Sequence, residues 1–116
     1  MSTTEGVQII LHPVTDLAAA KAVYTALLGA EPAQDAPYYV GYEAAGQQIG
    51  LVPNGGPQGM TSPVAYWRVA DIEAKLAELT AAGATIHEAA HDVGGGRLVA
   101  TVTDPDGNVL GLLQDR

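Results

Sequence analysis

The pattern of apolar and polar positions in the first half of the chain predicts a strand, a helix and three further strands. Residues 7–14 are an aliphatic and β-branched run, which is typical of a buried strand. Residues 17–28 carry apolar side chains at helical spacing. Asp16 precedes this helix as a predicted N-cap, and Gly29 follows it as a predicted C-cap. The further strands are predicted at about 30–35, 37–43 and 47–53.

The second half repeats this order. A strand at 64–69 precedes Asp71, a second predicted N-cap, and a helix at 72–82 that Gly83 is expected to close as Gly29 closes the first. Glycine-rich and Asp-Pro-Asp-Gly turns then separate three strands, predicted at about 84–92, 97–103 and 108–114. Each half is therefore a βαβββ module, and the fold class is α+β.

Two sequence signatures recur in register between the halves. Val14-x-Asp16-Leu17 matches Val69-x-Asp71-Ile72 at a spacing of 55 residues. Gly46…Gly50-Leu51 matches Gly107…Gly111-Leu112 at a spacing of 61 residues. One module alone leaves a sheet face uncovered, so the two are expected to pair. We predict a single domain over 1–116, with modules at about 7–53 and 63–114 and a Pro- and Gly-rich linker at about 54–62.

Composition narrows the classes of partner. The 116 residues carry a formal net charge of −8, which disfavours nucleic acid and anionic lipid. The chain has no cysteine, and its N-terminus has no basic region followed by an apolar stretch, so we expect a cytoplasmic protein. A small neutral or cationic ligand, or another protein, is the partner class that remains.

The repeated βαβββ pattern, with V-x-D-L or V-x-D-I at each helix start and D-P-D-G-N before the last strand, resembles the vicinal oxygen chelate superfamily. That superfamily includes glyoxalase I, extradiol dioxygenases, fosfomycin-resistance enzymes and bleomycin-resistance proteins. The resemblance covers residues 7 to 114. It implies two modules that form a U-shaped, mostly antiparallel sheet with helices on its outer face, and a homodimer whose clefts are shared between subunits.

The resemblance also implies where a metal would be held. Enzymes of the superfamily bind a divalent cation through two strand positions in each module. Counting from Asp16 and Asp71, and from the turn glycines, the corresponding positions here are Ile9, Gly50, Val64 and Gly111. None of these side chains can coordinate a cation, since metal sites need oxygen, nitrogen or sulfur donors. We therefore expect no metal and no other cofactor.

The histidines and aspartates have structural interpretations beside functional ones. His12 is expected to point to the helix-covered face as a packed, hydrogen-bonded histidine, with a role as ligand contact or base as the alternative. His87-Glu88-Ala89-Ala90-His91 matches H-E-x-x-H, which binds zinc only on a helix. Here the motif falls on a predicted strand, which favours a solvated or pocket-rim role. Asp104 and Asp106 are interpreted as turn residues.

The missing carboxylates at Gly50 and Gly111 are expected to leave a roomy, mostly apolar cleft with phenol hydroxyls. Strand alternation turns Ile9, Leu11, Val64 and Tyr66 towards it, and Leu113 is expected there too. The alternative is that the tyrosines fill the core or a dimer interface. The predicted ligand-binding residues are Ile9, Leu11, Tyr38, Tyr39, Tyr42, Gly50, Met60, Val64, Tyr66, Trp67, Val109 and Gly111.

Three functional hypotheses follow. The first is metal-independent sequestration of a hydrophobic or aromatic small molecule, as in bleomycin-resistance proteins, with antibiotic self-resistance against bleomycin-, mitomycin- or enediyne-type compounds as a use. The second is an enzyme of this fold that works without the metal, such as a lyase, isomerase, cyclase or dioxygenase-like enzyme, through Tyr66, Glu43 or a histidine. The third is a regulatory or partner-binding dimer without a ligand.

Overall fold

A computed structural model describes residues 3–56 and 59–115. The chain divides into two compact units. The first unit is Ile9–Val64, and the second unit is Ala65–Arg116 together with the first residues of the chain as far as Gln8. The predicted linker falls in the first unit, and its Pro57 and Gln58 lie outside the described residues.

The elements follow the predicted order in both halves, and the fold is α+β. They are β1 (Thr4–Val14), α1 (Leu17–Leu28), β2 (Gln34–Ala36), β3 (Tyr39–Ala44), β4 (Gln47–Pro53), β5 (Val64–Val69), α2 (Ile72–Ala81), β6 (Thr85–Asp92), β7 (Arg97–Thr103) and β8 (Val109–Asp115). The strand predicted at 30–35 is in fact the three residues of β2. Residues 30–33, between the left-handed Gly29 and β2, are not part of a strand, and Pro32 has no N–H to offer to a strand pair.

Within each unit the strand order places the first strand beside the last. The order is β2-β3-β4-β1 in the first unit and β5-β8-β7-β6 in the second. The β1–β4 and β5–β8 pairs are parallel, and the other pairs within the units are antiparallel, as the resemblance implied. Leu11 is paired with Gly50, and Tyr66 with Gly111, so the sequence repeat is also a repeat of register.

Both helices begin as predicted. The Asp16 carboxylate accepts a hydrogen bond from the Ala19 N–H at 3.1 Å, and Asp71 accepts one from the Ala74 N–H at 3.1 Å. The ends of the helices differ, which corrects the expectation for Gly83. α2 stops at Ala81 and its cap residue, Ala82, stays right-handed, so Gly83 lies one residue beyond the cap.

Each helix covers one face of the strands in its own unit. In the first unit α1 packs on Val40, Tyr42 and Leu51. In the second unit α2 contributes Ile72 and Leu76 to a cluster with β5, β7 and β8. We call the opposite side of each unit's strands its distal face. Side chains alternate along a strand, so the residues between these core positions lie on the distal faces. Across the described ranges, neither helix is long and apolar enough to cross a membrane.

Candidate functional site

The distal face of the first unit is built around the ring of Tyr39. This ring lies over two glycines of adjacent strands, Gly41 and Gly50, which are themselves a cross-strand pair. A Cβ atom on Gly50 would lie 2.7 Å from Tyr39 Cε1 and 2.6 Å from Leu11 Cδ2, and it would also meet the Tyr39 hydroxyl. The tyrosine ring packs closely against bare backbone because neither glycine has a side chain.

A pocket of about 280 Å³ opens beside this ring. Alternate residues of β3, including Tyr39 and Glu43, line one wall of the pocket. Gln48 of β4, the cross-strand partner of Glu43, also lines it. An apolar cavity of about 150 Å³ is enough for benzene, so this pocket has room for one substituted ring. Its lining residues are Ala33, Gln34, Tyr39, Gly41, Tyr42, Glu43 and Gln48.

The distal face of the second unit carries a row of directly paired residues across four strands. Glu88 is paired with Thr101, Thr101 with Gly111, and Gly111 with Tyr66. Directly paired residues point to the same side of a sheet. The Tyr66 ring covers Gly111, because a Cβ atom there would lie 2.6 Å from both Cγ and Cδ2 of Tyr66. We call Glu88, Thr101, Gly111 and Tyr66 the transverse row.

An irregularity in β6 brings His87 beside this row. The register of β6 shifts between Ile86 and Glu88, so His87 is an extra residue opposite Thr101. His87 Nδ1 and Thr101 Oγ1 are 2.9 Å apart and share a hydrogen bond. Thr101 is only 5% exposed and Tyr66 only 4%. Burial, and after it the Glu88 carboxylate, raises the pKa of the Tyr66 phenol.

The positions implied as metal ligands do not fit a metal. Ile9, Gly50, Val64 and Gly111 offer no donor atom, and tyrosine rings occupy the space that a side chain on either glycine would need. Among the described residues no three histidine, aspartate or glutamate side chains gather where they could share a cation. The expectation that the two glycines leave open volume is wrong, because Tyr39 and Tyr66 fill that volume.

The predicted site residues fall into three groups. Leu11, Tyr39 and Gly50 meet on the distal face of the first unit, where Ile9 is also buried. Tyr66 and Gly111 meet on the distal face of the second unit, and Val109 is the first residue of β8, two positions before Gly111. Val64 is buried at the start of β5, and Met60 lies between β4 and β5, where its N–H donates to the Gly55 carbonyl.

Three predicted site residues lie elsewhere. Tyr38 is 73% exposed, in the turn between β2 and β3, because the strand predicted at 37–43 begins only at Tyr39. Tyr42 borders the pocket, but its hydroxyl is held by α1: it donates to the Lys21 carbonyl at 3.0 Å and lies 2.9 Å from Thr25 Oγ1. Trp67 is paired with Leu112 of the α2 core, so it lies on the face opposite Tyr66.

Residues that sequence reasoning did not assign to a ligand site complete both faces. Gly41 and Gln48 adjoin Tyr39, and Glu88 and Thr101 belong to the transverse row. Strand alternation places Gly41 and Gln48 once the register of β3 and β4 is known. Strand alternation does not predict the place of Glu88. The register shift in β6 turns its side chain to the face opposite to the one that regular alternation implies.

The structural interpretations of the other polar residues are confirmed. The His12 ring packs against Tyr24 of α1, with its Nδ1 3.3 Å from the tyrosine hydroxyl, and desolvation lowers its pKa. The H-E-x-x-H motif lies on strand β6, so its two histidines are not on one helical face. Asp104 organises the last turn by accepting from the N–H groups of Asp106 and Asn108, both at 2.9 Å.

Comparison with solved structures gives three informative relatives. The Mn(II)-bound glyoxalase from Novosphingobium aromaticivorans superposes with a TM-score of 0.76 at 19% identity over 99% of this chain, which spans 40% of that longer protein. Methylmalonyl-CoA epimerase from Mycobacterium tuberculosis has a TM-score of 0.74 at 18% identity, covering 100% of this chain and 91% of the epimerase.

A glyoxalase/bleomycin resistance protein/dioxygenase superfamily member from Vibrio splendidus 12B01 has a TM-score of 0.69 at 19% identity, over 97% of this chain and 100% of its own. At these identities the likeness shows the fold. No curated protein matches the sequence. The family model for the Glyoxalase/Bleomycin resistance protein/Dioxygenase superfamily, however, matches residues 6–112. The chain belongs to this superfamily.

Proposed function

We propose that this protein binds a small neutral or cationic aromatic molecule without the help of a metal ion. The observation that carries the proposal is the replacement of metal ligands by packed tyrosines. At Gly50 and Gly111 the superfamily pattern calls for ligating side chains, and here the rings of Tyr39 and Tyr66 fill the space beside each glycine. An aromatic surface with a phenol hydroxyl suits an organic ligand better than a bare cation.

The pocket of the first unit supports this ligand class. The Tyr39 ring offers a face for stacking or for a cation, and the Glu43 carboxylate in the same lining favours positive charge. The formal net charge of −8 acts in the same direction, because it raises the local concentration of cations and repels anions. We therefore expect neutral and cationic single-ring compounds to bind, and anionic ones to bind poorly.

Sequestration is the biological use that we propose for this binding. The resemblance of this chain to bleomycin-resistance proteins implies that it protects the cell: it would hold a toxic compound without changing it. An aromatic group of a bleomycin-, mitomycin- or enediyne-type antibiotic is the part that the pocket of about 280 Å³ would take. Expression in a sensitive host should then raise the tolerated dose without any modified drug in the medium.

Binding can be tested with three probes of matched ring size: phenyltrimethylammonium, acetanilide and benzoate. Isothermal titration and amide NMR spectra would be recorded with a chelator and, separately, with added Mn²⁺ or Zn²⁺. We expect the first two probes to bind, with shifts at the Gly41 and Gly50 amides that are the same under both conditions. Benzoate should bind at least several-fold more weakly because of the negative charge of the chain.

Two neighbouring tyrosines provide a matched pair of variants. Tyr39→Leu should abolish probe binding, whereas Tyr38→Leu should leave it unchanged, because Tyr38 lies exposed in the turn. Tyr39→Phe keeps the ring and should retain most of the affinity. Binding or turnover that appears only with a divalent metal would contradict the proposal, as would equal effects of the substitutions at Tyr38 and Tyr39.

A metal-free enzyme is the second candidate, because the transverse row combines a phenol and a carboxylate. The solved relatives include proteins described as an epimerase and a glyoxalase. Enzymes of this kind use a positioned acid and base, and Tyr66 and Glu88 have suitable chemistry for those roles. Turnover of a carbonyl substrate with a chelator present, with a bell-shaped pH–rate profile, would favour this candidate over sequestration.

We also propose that the protein is a homodimer, with α1 at the contact between subunits. Every exposed residue of α1 is apolar, and Val23 and Leu27 are 64% and 73% exposed. The one charged residue of α1, Lys21, is paired with Asp35 at 3.0 Å. Two copies with a charge of −8 each repel one another, so an uncharged face is where they can approach most closely. The exposed residues are Ala18, Ala19, Ala22, Val23, Ala26 and Leu27.

A further inference from the structure

We propose that the transverse row of the second unit is a binding site for a primary ammonium or amidinium group, held by the Glu88 carboxylate and the Tyr66 hydroxyl. This goes beyond the proposed function, whose pocket lies in the first unit, because it assigns the binding of an N–H cation to residues of the second unit. Three observations carry it: the alignment of the row, the unpaired polar groups at both of its ends, and the distribution of cations in the chain.

The row is continuous because each member is the direct cross-strand partner of the next. Neighbouring strands lie about 4.8 Å apart, so Tyr66 and Glu88 are separated by three such spacings. Gly111 removes the side chain that would otherwise stand beside Tyr66, and the phenol ring occupies that place. The Tyr66 ring thus reaches over Gly111, one strand closer to Glu88, and the charge of the Glu88 carboxylate contributes to raising the pKa of the phenol.

The polar side-chain groups at the two ends of the row, the Tyr66 hydroxyl and the Glu88 carboxylate, have no hydrogen-bond partner among the described residues. Within residues 3–56 and 59–115, no group hydrogen-bonds to the Tyr66 hydroxyl or forms an ion pair or hydrogen bond with Glu88. Tyr66 is only 4% exposed, and a buried hydroxyl without a partner costs about 1–3 kcal/mol. Buried tyrosine hydroxyls normally have a partner. A bound N–H donor would give the phenol oxygen a hydrogen-bond partner and so reduce this cost.

The β6 end of the transverse row is the end nearer to solvent. Glu88 is half-buried and its neighbour His87 is exposed, whereas Thr101, Gly111 and Tyr66 are buried. The Thr101 hydroxyl is already hydrogen-bonded to His87, whereas the phenol and the carboxylate have no such partner in the described part of the chain. Irregularities such as the register shift in β6 often re-aim side chains next to binding sites.

The missing partner of Glu88 is a cation that the described part of the chain does not supply. Its four lysine and arginine side chains are ion-paired with carboxylates other than that of Glu88: Lys21 with Asp35, Lys75 with Glu78, and both Arg68 and Arg97 with Asp115. A ligand ammonium or amidinium has several N–H donors. It can donate to the Glu88 carboxylate and to the Tyr66 oxygen at once, and such charge-assisted hydrogen bonds are stronger than neutral ones.

Benzylamine and phenyltrimethylammonium distinguish this site from the pocket of the first unit. Both probes are aromatic cations, but only benzylamine has N–H donors. In NMR titrations of the whole protein at pH 8, we expect benzylamine to shift the amides of Thr101 and Gly111, and phenyltrimethylammonium to leave them in place. Benzyl alcohol, which is neutral and of the same size, should shift them only at much higher concentration.

Two conservative substitutions remove one partner each. Glu88→Gln removes the charge and should weaken benzylamine binding at these amides by about tenfold or more. Tyr66→Phe removes only the hydroxyl and should weaken it by roughly 3- to 10-fold. Glu73→Gln changes an exposed glutamate of α2 and is the control that should have no effect. Because Glu88 is half-buried, its variant keeps the test valid even if Tyr66→Phe destabilises the fold.

The outcomes separate this inference from the proposed function. If benzylamine leaves Thr101 and Gly111 unshifted, or if Glu88→Gln binds it as tightly as the natural chain, the inference is overturned. Shifts at Gly41 and Gly50 with phenyltrimethylammonium would still support the proposed function in that case. Selective loss of the benzylamine response in Glu88→Gln, with Glu73→Gln unchanged, would establish the ammonium site.

Discussion

Replacing Gly111 by alanine tests whether Tyr66 fills the place beside this glycine. The new Cβ would lie 2.6 Å from Cγ and Cδ2 of Tyr66 and 2.9 Å from its Cδ1. Carbon atoms at optimal separation are about 3.5–4.0 Å apart, so the ring would have to move by about 1 Å. The clashing atoms are at the base of the buried Tyr66 ring, close to the Tyr66 backbone. Because these atoms hardly move when the side chain rotates, rotation does not relieve the contact.

Overpacking of this kind costs about 1–3 kcal/mol, and the reduced freedom of the unfolded chain on going from glycine to alanine returns about 0.4–1 kcal/mol. We expect Gly111→Ala to lower the free energy of unfolding by about 1–2 kcal/mol and Tm by roughly 5–10 °C. Urea unfolding followed by circular dichroism would measure the first quantity, and thermal unfolding the second.

Two comparisons make this measurement decisive. At Gly50 the added Cβ meets the far ends of the Tyr39 and Leu11 side chains, which can move, so Gly50→Ala should cost less than about 1 kcal/mol. In a Tyr66→Ala background the cost of Gly111→Ala should largely vanish, which gives a coupling energy of about 1–2 kcal/mol. Wild-type stability of Gly111→Ala, or an equal cost in both backgrounds, would refute the packing argument.

Three other predictions concern the fold and its assembly. Tyr42→Phe removes a hydroxyl that is held by α1, so it should lower the free energy of unfolding by about 0.5–1.5 kcal/mol without changing ligand affinity, measured by urea unfolding and titration. Hydrogen bonds from Arg97, and then from Arg68, lower the pKa of Asp115. The stability that Asp115 contributes is therefore fully present above the unfolded-state pKa of about 3.9. It is lost as the pH falls through the lower folded-state pKa. Asp115→Asn should therefore cost about 0.5–1 kcal/mol at pH 7, allowing for solvent screening, and nothing in strong acid, with Glu31→Gln as a neutral control. Leu27→Glu places a charge on the exposed face of α1 and should convert a dimer into a monomer in sedimentation, whereas a monomeric natural chain would contradict the dimer proposal.

Local signals in the sequence were sufficient for the elements and their order. α1 and β5 have the predicted bounds, and the caps at Asp16 and Asp71 form as predicted, because each depends on residues within a few positions along the chain. The repeat spacings also predicted which strand positions correspond. The two modules have the same strand-pair register: Leu11 is paired with Gly50 as Tyr66 is with Gly111.

The chemistry of the distal faces required the tertiary structure. Three tyrosines stand close together at 38, 39 and 42, yet one lies in a turn, one covers two glycines, and one hydrogen-bonds to α1. The sequence by itself determined the repeated α+β modules and the loss of donors at Gly50 and Gly111. Only the packing decided that tyrosine rings fill those places and that Glu88 joins Tyr66 in one row, because cross-strand neighbours and a register shift are not encoded in local spacing.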